Sequence, residues 1–203
     1  MNGKKLRLLE SWKNPFAELS ISEIMKLTNK TSKPWVFNAL KLLAKNHLLN
    51  QKRKGNINLY SLNLSNPLLI HTLQFLEAIS IYDFPHLDII SETTSKIPLS
   101  TYCLLVFGSY AENKYTKKSD LDICFLIENN IIEKKIKPYF NDIKLAGNIN
   151  IDEHYVTFSD FIKMLLMDEE NLGKQIFRNH KIFFSPDIYY KLIKEAYKNG
   201  FKP

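Results

Sequence analysis

The chain has 203 residues, with 28 Lys and Arg against 21 Asp and Glu, a net charge of +7 and an isoelectric point near 9.2. That length suits one large domain or two small ones, and no apolar run approaches the ~20 residues a membrane-spanning helix needs. The basic excess is mostly lysine and favours polyanionic partners, while the opening MNGKKLRLLESWKN lacks the apolar core and cleavage site of a signal peptide, so a cytoplasmic protein with no membrane partner is expected.

Residues 1–64 read as one small domain. Leu6, Leu8, Leu9 and Trp12 suit a short first helix. Ser20-Ile-Ser-Glu23 is a capping box, opening a helix from Ile21 to about Leu27. Asn29 to Ser32 make a turn, and Ser32 or Lys33 starts a longer helix with Pro34 in its first turn. Val36, Leu40, Leu43 and Leu48 recur at helical spacing there. LLNQKRKGNINLYSLN then reads as a hairpin: Leu48 to Arg53, a tip at Lys54-Gly55-Asn56, and Ile57 to Leu62. This order resembles the winged helix-turn-helix DNA-binding domains of prokaryotic regulators. The resemblance implies DNA as partner, with the second helix of the motif in the major groove and the hairpin on the flanking backbone. The residues it points to are Lys30, Ser32, Lys33 and Asn38 around the helix start, and Lys52, Arg53 and Lys54 at the hairpin. Most of these would contact phosphate, which positions rather than specifies. The plainer reading is a protein-binding or dimerisation module with solvated lysines.

Residues 65–95 read as connecting helices. The first begins at Asn66-Pro67 with an apolar stripe of Leu68, Leu69, Leu73, Phe75 and Leu76, suited to docking on its own domain or to a homodimer interface. Ile81 to Leu99 read as a second helix, interrupted at Phe84-Pro85. A second domain is expected over residues 96–203.

The densest pattern in the chain is Leu104–Ile127, LLVFGSYAENKYTKKSDLDICFLI. An apolar run ends in Gly108-Ser109, and a second begins after Asp120-Leu121-Asp122. Residues two apart on a strand share a face, so Asp120 and Asp122 form a carboxylate pair at a strand edge. Paired carboxylates repel unless a proton or cation lies between them. A hard divalent ion suits oxygen ligands, and its usual co-ligand is a nucleotide phosphate. Gly108 permits close approach of backbone to that phosphate. Lys114, Lys117 and Lys118 lie between the two motifs, as phosphate or nucleic-acid contacts or as a plain exposed loop.

Gly-Ser, a short helix, then a strand with Asp-x-Asp resembles the DNA polymerase β-like nucleotidyltransferases, and most closely their minimal prokaryotic forms. Gly108, Ser109, Ala111, Ser119, Asp120 and Asp122 match the pattern, whereas Glu112 stands where Arg is common and Asn113 where Gly is common. Asn tolerates the left-handed backbone such a turn needs. The resemblance covers about residues 96 to 190 and implies a third carboxylate on a later strand, expected over Asn148–Phe158. Asp152 is the first choice there, with His154 on the same face, and Glu153 the choice if the register shifts by one.

By that resemblance, Asp120, Asp122 and Asp152 bind Mg²⁺ or Mn²⁺, and Gly108, Ser109 and Ser119 hold the phosphates of a nucleoside triphosphate. The implied reaction moves a nucleoside monophosphate to a hydroxyl of RNA or of a protein. The protein acceptor would be a small helical toxin, modified by this chain as an antitoxin. The alternative, which Glu112 favours, is a DNA-binding transcriptional regulator whose transferase-like domain senses nucleotide without turnover.

The remaining elements are a helix from Asp160 to about Met167 capped by Ser159, a helix between Asn171 and Asn179, a strand His180–Phe184, and a last helix Asp187–Lys198 opened by Pro186 and stopped near Gly200. Residues 201–203 read as a loose tail. Cys103 and Cys124 fall in the two apolar strands and read as buried free thiols. The expected fold class is α/β (α+β), a winged helix followed by a small mixed sheet flanked by helices.

Overall fold

Ser20 and Glu23 satisfy each other's backbone in the way the sequence suggested. In the computed structural model, which describes residues 3–146 and 150–203, the Ser20 N–H donates to Glu23 Oε2 at 2.7 Å and the Glu23 N–H donates to Ser20 Oγ at 3.3 Å. The chain divides into two units, the first ending at Leu76 and the second running from Glu77 to Lys202.

The first unit begins with α1 (Gly3–Leu6), which tightens into a 3-10 turn over Arg7–Ser11. After it come β1 (Leu19–Ser20), α2 (Ile21–Leu27), α3 (Lys33–Lys45), β2 (Leu49–Lys54) and β3 (Ile57–Leu62). The three strands form an antiparallel sheet in the order β1-β3-β2. Val36, Ala39, Leu40 and Leu43 give α3 its buried stripe. The hairpin starts at Leu49 rather than Leu48, and Lys54 belongs to the strand rather than the tip. The cause is local: the Leu48 N–H is used by α3, donating to the Leu43 carbonyl at 3.0 Å, with His47 in the left-handed region at φ 57°.

Helix α4 (Pro67–Ser80) runs across the boundary between the two units. Leu69, Leu73 and Leu76 are buried, whereas Leu68 and Phe75 lie off that stripe and are exposed. The second connecting helix is shorter than expected: α5 spans Leu87–Lys96 only. Pro85 lacks an amide donor, and His86 turns the chain at φ 64° before the helix begins.

The second unit continues with β4 (Tyr102–Val106), α6 (Gly108–Ala111), β5 (Leu121–Ile127), α7 (Asn130–Ala146), β6 (Ile151–Thr157), α8 (Phe158–Leu166), α9 (Leu172–Arg178), β7 (Lys181–Phe184) and α10 (Pro186–Lys198). The sheet order is β6-β5-β4-β7. β4 is antiparallel to β5 and β7, and β5 is parallel to β6, so the sheet is mixed. All of β4 is buried, as a strand covered on both faces requires. Leu104, Val106, Ile123 and Phe125 share a core with Ile90 of α5 and with Ile132, Ile136 and Phe140 of α7. Helices α8 and α10 pack against β5 and β4. The fold is therefore mixed α/β, with a small mixed sheet flanked by helices.

Several local expectations are corrected. Helix α7 adds to the expected elements, with Ile132, Ile136 and Phe140 recurring every four residues and Pro138 inside it. Thr157, not Ser159, caps α8, accepting from the Asp160 N–H at 3.1 Å. Phe201 is not part of a loose tail, because it is buried and meets Phe177 edge-on at 4.9 Å, while Lys202 and Pro203 are exposed. Asn148 and Ile149, placed at the start of the Asp152 strand, lie outside the described residues. Cys103 and Cys124 are buried free thiols.

Candidate functional site

β4 ends at a glycine for a steric reason. Gly108 sits at φ +65°, and a Cβ added there would stand 2.1 Å from Asp122 Oδ2. A side chain there would have to displace the Asp122 carboxylate and adopt a strained backbone. The turn is pinned from below as well, where the Phe107 N–H donates to the Asp122 carbonyl at 3.1 Å. The start of β5 and the Gly-Ser turn are thus one packed unit.

The parallel register of β5 and β6 sets Asp122 directly beside Asp152. Period-2 alternation puts Asp122, Cys124 and Leu126 on one face of β5, and Asp152, His154 and Val156 on the matching face of β6. Glu153 is paired with Ile123 and falls on the opposite face, where it accepts a hydrogen bond from the Tyr155 hydroxyl at 3.4 Å. Of the two later carboxylates, Asp152 is therefore the one brought to Asp122. His154 Nε2 lies 3.3 Å from Asp152 Oδ2, and its ring meets Phe107 edge-on at 5.5 Å. The pKa of Asp122 is raised, first by burial, then by the charge of Asp152, with a smaller push from Asp120; His154 acts in the opposite sense. Asp120 stands at the mouth of β5 and is exposed.

These carboxylates are hard oxygen donors. That chemistry fits a divalent ion. As the side chains stand, no three His, Cys, Asp or Glu groups among the described residues are gathered closely enough to hold one. Asp152 is turned toward His154, 3.3 Å away.

Comparison with known proteins speaks to the same segment. The family described as Polymerase beta, Nucleotidyltransferase matches residues 92–189. That stretch runs from α5 into α10 and takes in Gly108, Ser109, Ser119, Asp120, Asp122 and Asp152. A protein of Methanocaldococcus jannaschii, provisionally named a protein adenylyltransferase, is 32% identical over 100 residues, or 47% of this chain. The chain spans 63% of that relative's length. No solved structure matches it.

Inside the nucleotidyltransferase-like segment, the loop after α6 departs from its expected pattern without opening up. Asn113 adopts φ 56°, the left-handed turn for which glycine is the common residue. Glu112 pairs with Lys114 Nζ at 2.8 Å and accepts from Asn179 Nδ2 at 3.3 Å. Its charge is therefore held along the loop by partners of its own. The Ser109 carbonyl accepts from the Lys114 N–H at 2.9 Å. The Ser119 hydroxyl accepts from the Thr116 N–H at 2.9 Å, so it is engaged within the 116–119 turn.

In the first unit, Lys30, Ser32, Lys33, Asn38, Lys52, Arg53 and Lys54 are all exposed. Lys30 Nζ stands 5.8 Å over the Trp35 ring, Lys52 pairs with Glu18 at 3.6 Å, and Arg53 Nε donates to the Gly55 carbonyl at 3.1 Å. They divide between two elements, Lys30 to Asn38 in and just before the start of α3 and Lys52 to Lys54 on β2.

One feature escaped the sequence. Tyr110 and Tyr115 stack with ring centroids 4.4 Å apart and planes 5° from parallel, beside a cleft of about 460 Å³. Two tyrosines five residues apart at a helix end carry no periodic signal; the left-handed Asn113 is what folds one back onto the other.

Proposed function

We propose that this chain is a metal-dependent nucleotidyltransferase that moves a nucleoside monophosphate from a nucleoside triphosphate to a hydroxyl of a protein or an RNA. The observation that carries the reading is the Asp122–Asp152 register beside a glycine that the Asp122 carboxylate requires. Asp120, Asp122 and Asp152 are the residues to hold Mg²⁺ or Mn²⁺, which when bound supplies charge neutralisation for the phosphates and the attacking oxygen. Gly108 and Ser109 offer backbone and hydroxyl to the triphosphate, with Ser119 behind them.

The acceptor oxygen attacks the α-phosphorus in line. A new phosphorus–oxygen bond forms as the bond to the bridging oxygen breaks, and pyrophosphate leaves with that electron pair. The acceptor's proton passes to Asp152, which His154 steadies at 3.3 Å. The name of the archaeal relative supports an adenylyl donor and a protein acceptor, as an antitoxin acting on a small helical toxin would use.

The first unit is read as a winged helix that docks on DNA through Lys30, Ser32, Lys33, Asn38, Lys52, Arg53 and Lys54. Their exposure supports that role. The same feature supports the second reading, a DNA-binding regulator whose transferase-like unit only senses nucleotide.

Incubation with Mg²⁺ and each α-labelled nucleoside triphosphate, with cell extract and total RNA as acceptors, separates the two. Label entering a protein or RNA band with the native chain, and not with Asp122→Asn, is the expected result. Triphosphate binding without transfer of any of the four nucleotides would leave the regulator standing instead.

A further inference from the structure

The cleft beside the stacked tyrosines is built for a ligand of its own. Its lining includes Tyr115, Thr116, Lys117, Lys118, Ser119 and Asn150; of the residues assigned to the triphosphate and metal it shares Ser119 alone, and none of Gly108, Ser109, Asp120, Asp122 or Asp152. At about 460 Å³ it falls within the roughly 300–1,000 Å³ that small-molecule sites occupy. Tyr110 is 5% exposed and covers one face of Tyr115, which keeps 41% exposure. The Tyr115 ring is therefore a fixed platform with its other face open. His86, also on the cleft wall, meets Tyr110 edge-on at 6.0 Å.

Charge is arranged to match. Lys114 is occupied by Glu112 at 2.8 Å. Lys117 and Lys118 are exposed and have no ion-pair partner among the described residues. The 116–119 turn fixes their backbone, through the Thr116 N–H to Ser119 Oγ at 2.9 Å and the Lys118 N–H to Thr116 Oγ1 at 3.3 Å. An aromatic platform next to free lysines is the combination that binds one nucleotide, the base on the ring and the phosphate on the ammonium groups.

We propose that this cleft is a second nucleotide subsite, apart from the one at Gly108 and Ser109, which takes a single nucleotide with its base on Tyr115 and its phosphate between Lys117 and Lys118. The nucleotide is either free or one unit of a single strand, because both present the same base and phosphate. The subsite does not depend on transfer taking place.

Isothermal titration of the full chain in EDTA, with AMP in one arm and a six-nucleotide oligoadenylate in the other, tests it. The strand arm uses the Lys52→Ala, Arg53→Ala, Lys54→Ala background, so that the hairpin does not contribute. Expected is binding in at least one arm that weakens about tenfold or more in Tyr115→Ala and in Lys117→Ala/Lys118→Ala. Tyr115→Phe, which keeps the ring, should stay within about threefold of native, and so should Asp122→Asn. Binding in the AMP arm assigns a free nucleotide; binding in the strand arm alone assigns a unit of a polynucleotide. No binding in either arm, or binding indifferent to the Lys117/Lys118 double variant, overturns the subsite. Loss of transfer in Asp122→Asn with the titration unchanged would keep the two sites distinct, whichever of them survives.

Discussion

Asp122 occupies the space where a side chain at position 108 would begin. Its Oδ2 lies 2.1 Å from the point a Cβ on Gly108 would take, and Gly108 is also at φ +65°. Gly108→Ala therefore meets two obstacles, a clash with a carboxylate and a strained backbone. The variant should unfold more easily by about 1–3 kcal/mol, the range for a non-glycine residue held at such φ. Transfer should fall at least about 100-fold, since displacement near 1 Å costs that much at a reacting centre. Thermal melts and label transfer check both; native-like transfer would show that Asp122 can move without loss.

Asp122→Asn should separate stability from activity. Burial and the Asp152 charge raise the Asp122 pKa. The folded chain thus holds the proton more tightly than the unfolded chain does. Asp122 contributes stability below the ordinary aspartate range, and that contribution is lost as pH rises through its folded pKa. At neutral pH the ionised group is a cost that asparagine removes. The metal-free variant is expected to melt higher than the native chain, by about 2–4 °C for each 1 kcal/mol relieved. Added Mg²⁺ should raise the native melting temperature and leave that of the variant unchanged. A variant that melts lower in EDTA would mean the carboxylate is not strained by its neighbours.

The capping box fixes the start of α2. Ser20→Ala removes the acceptor for the Glu23 N–H and should cost about 1 kcal/mol. Hydrogen bonds from the Ser20 side chain and backbone hold the Glu23 pKa below its usual value. This stability is present above the ordinary glutamate range and is lost as pH falls through the folded pKa. The difference between native and variant chains in denaturant melts should narrow in acid without vanishing, because the Glu23 N–H bond to Ser20 Oγ does not titrate. An undiminished difference at low pH would place the effect elsewhere.

The exposed hairpin should act on DNA through charge. Lys52→Ala, Arg53→Ala and Lys54→Ala together are expected to weaken binding about equally across sequences. The slope of log affinity against log salt should drop by about 1 for each phosphate contact removed. Loss confined to one DNA sequence would indicate base contacts instead.

The acid site was legible because its signal is local. Gly108-Ser109 and Asp120-x-Asp122 sit within one strand–turn–strand passage, whereas alternation along β6 favours Asp152 but leaves Glu153 open, and only the register with β5 shows which lies beside Asp122. The capping box and the hairpin were legible for the same reason. What escaped depends on who packs against whom. Helix α7 is rich in lysine and holds an internal proline, which mask the four-residue recurrence of Ile132, Ile136 and Phe140; their shared core with β4 and β5 makes the stripe plain. Thr157 outcompetes Ser159 as a cap because β6 runs straight into α8 with no linker. The Tyr110–Tyr115 stack depends on one left-handed residue, Asn113, which sequence marks as tolerated there but not as required.

Asp122 and Asp152 belong to neighbouring strands that run parallel, so helix α7 must cross over before the second acid can arrive. A nascent chain that has emerged only through β5 therefore carries the Gly-Ser turn and two acids with nothing opposite them. Pairing β6 with β5 closes a long loop, a step that is slow beside local helix or hairpin formation. Bringing Asp152 beside Asp122 is thus a late event of folding, and in a partly made chain the ligand set proposed above is incomplete.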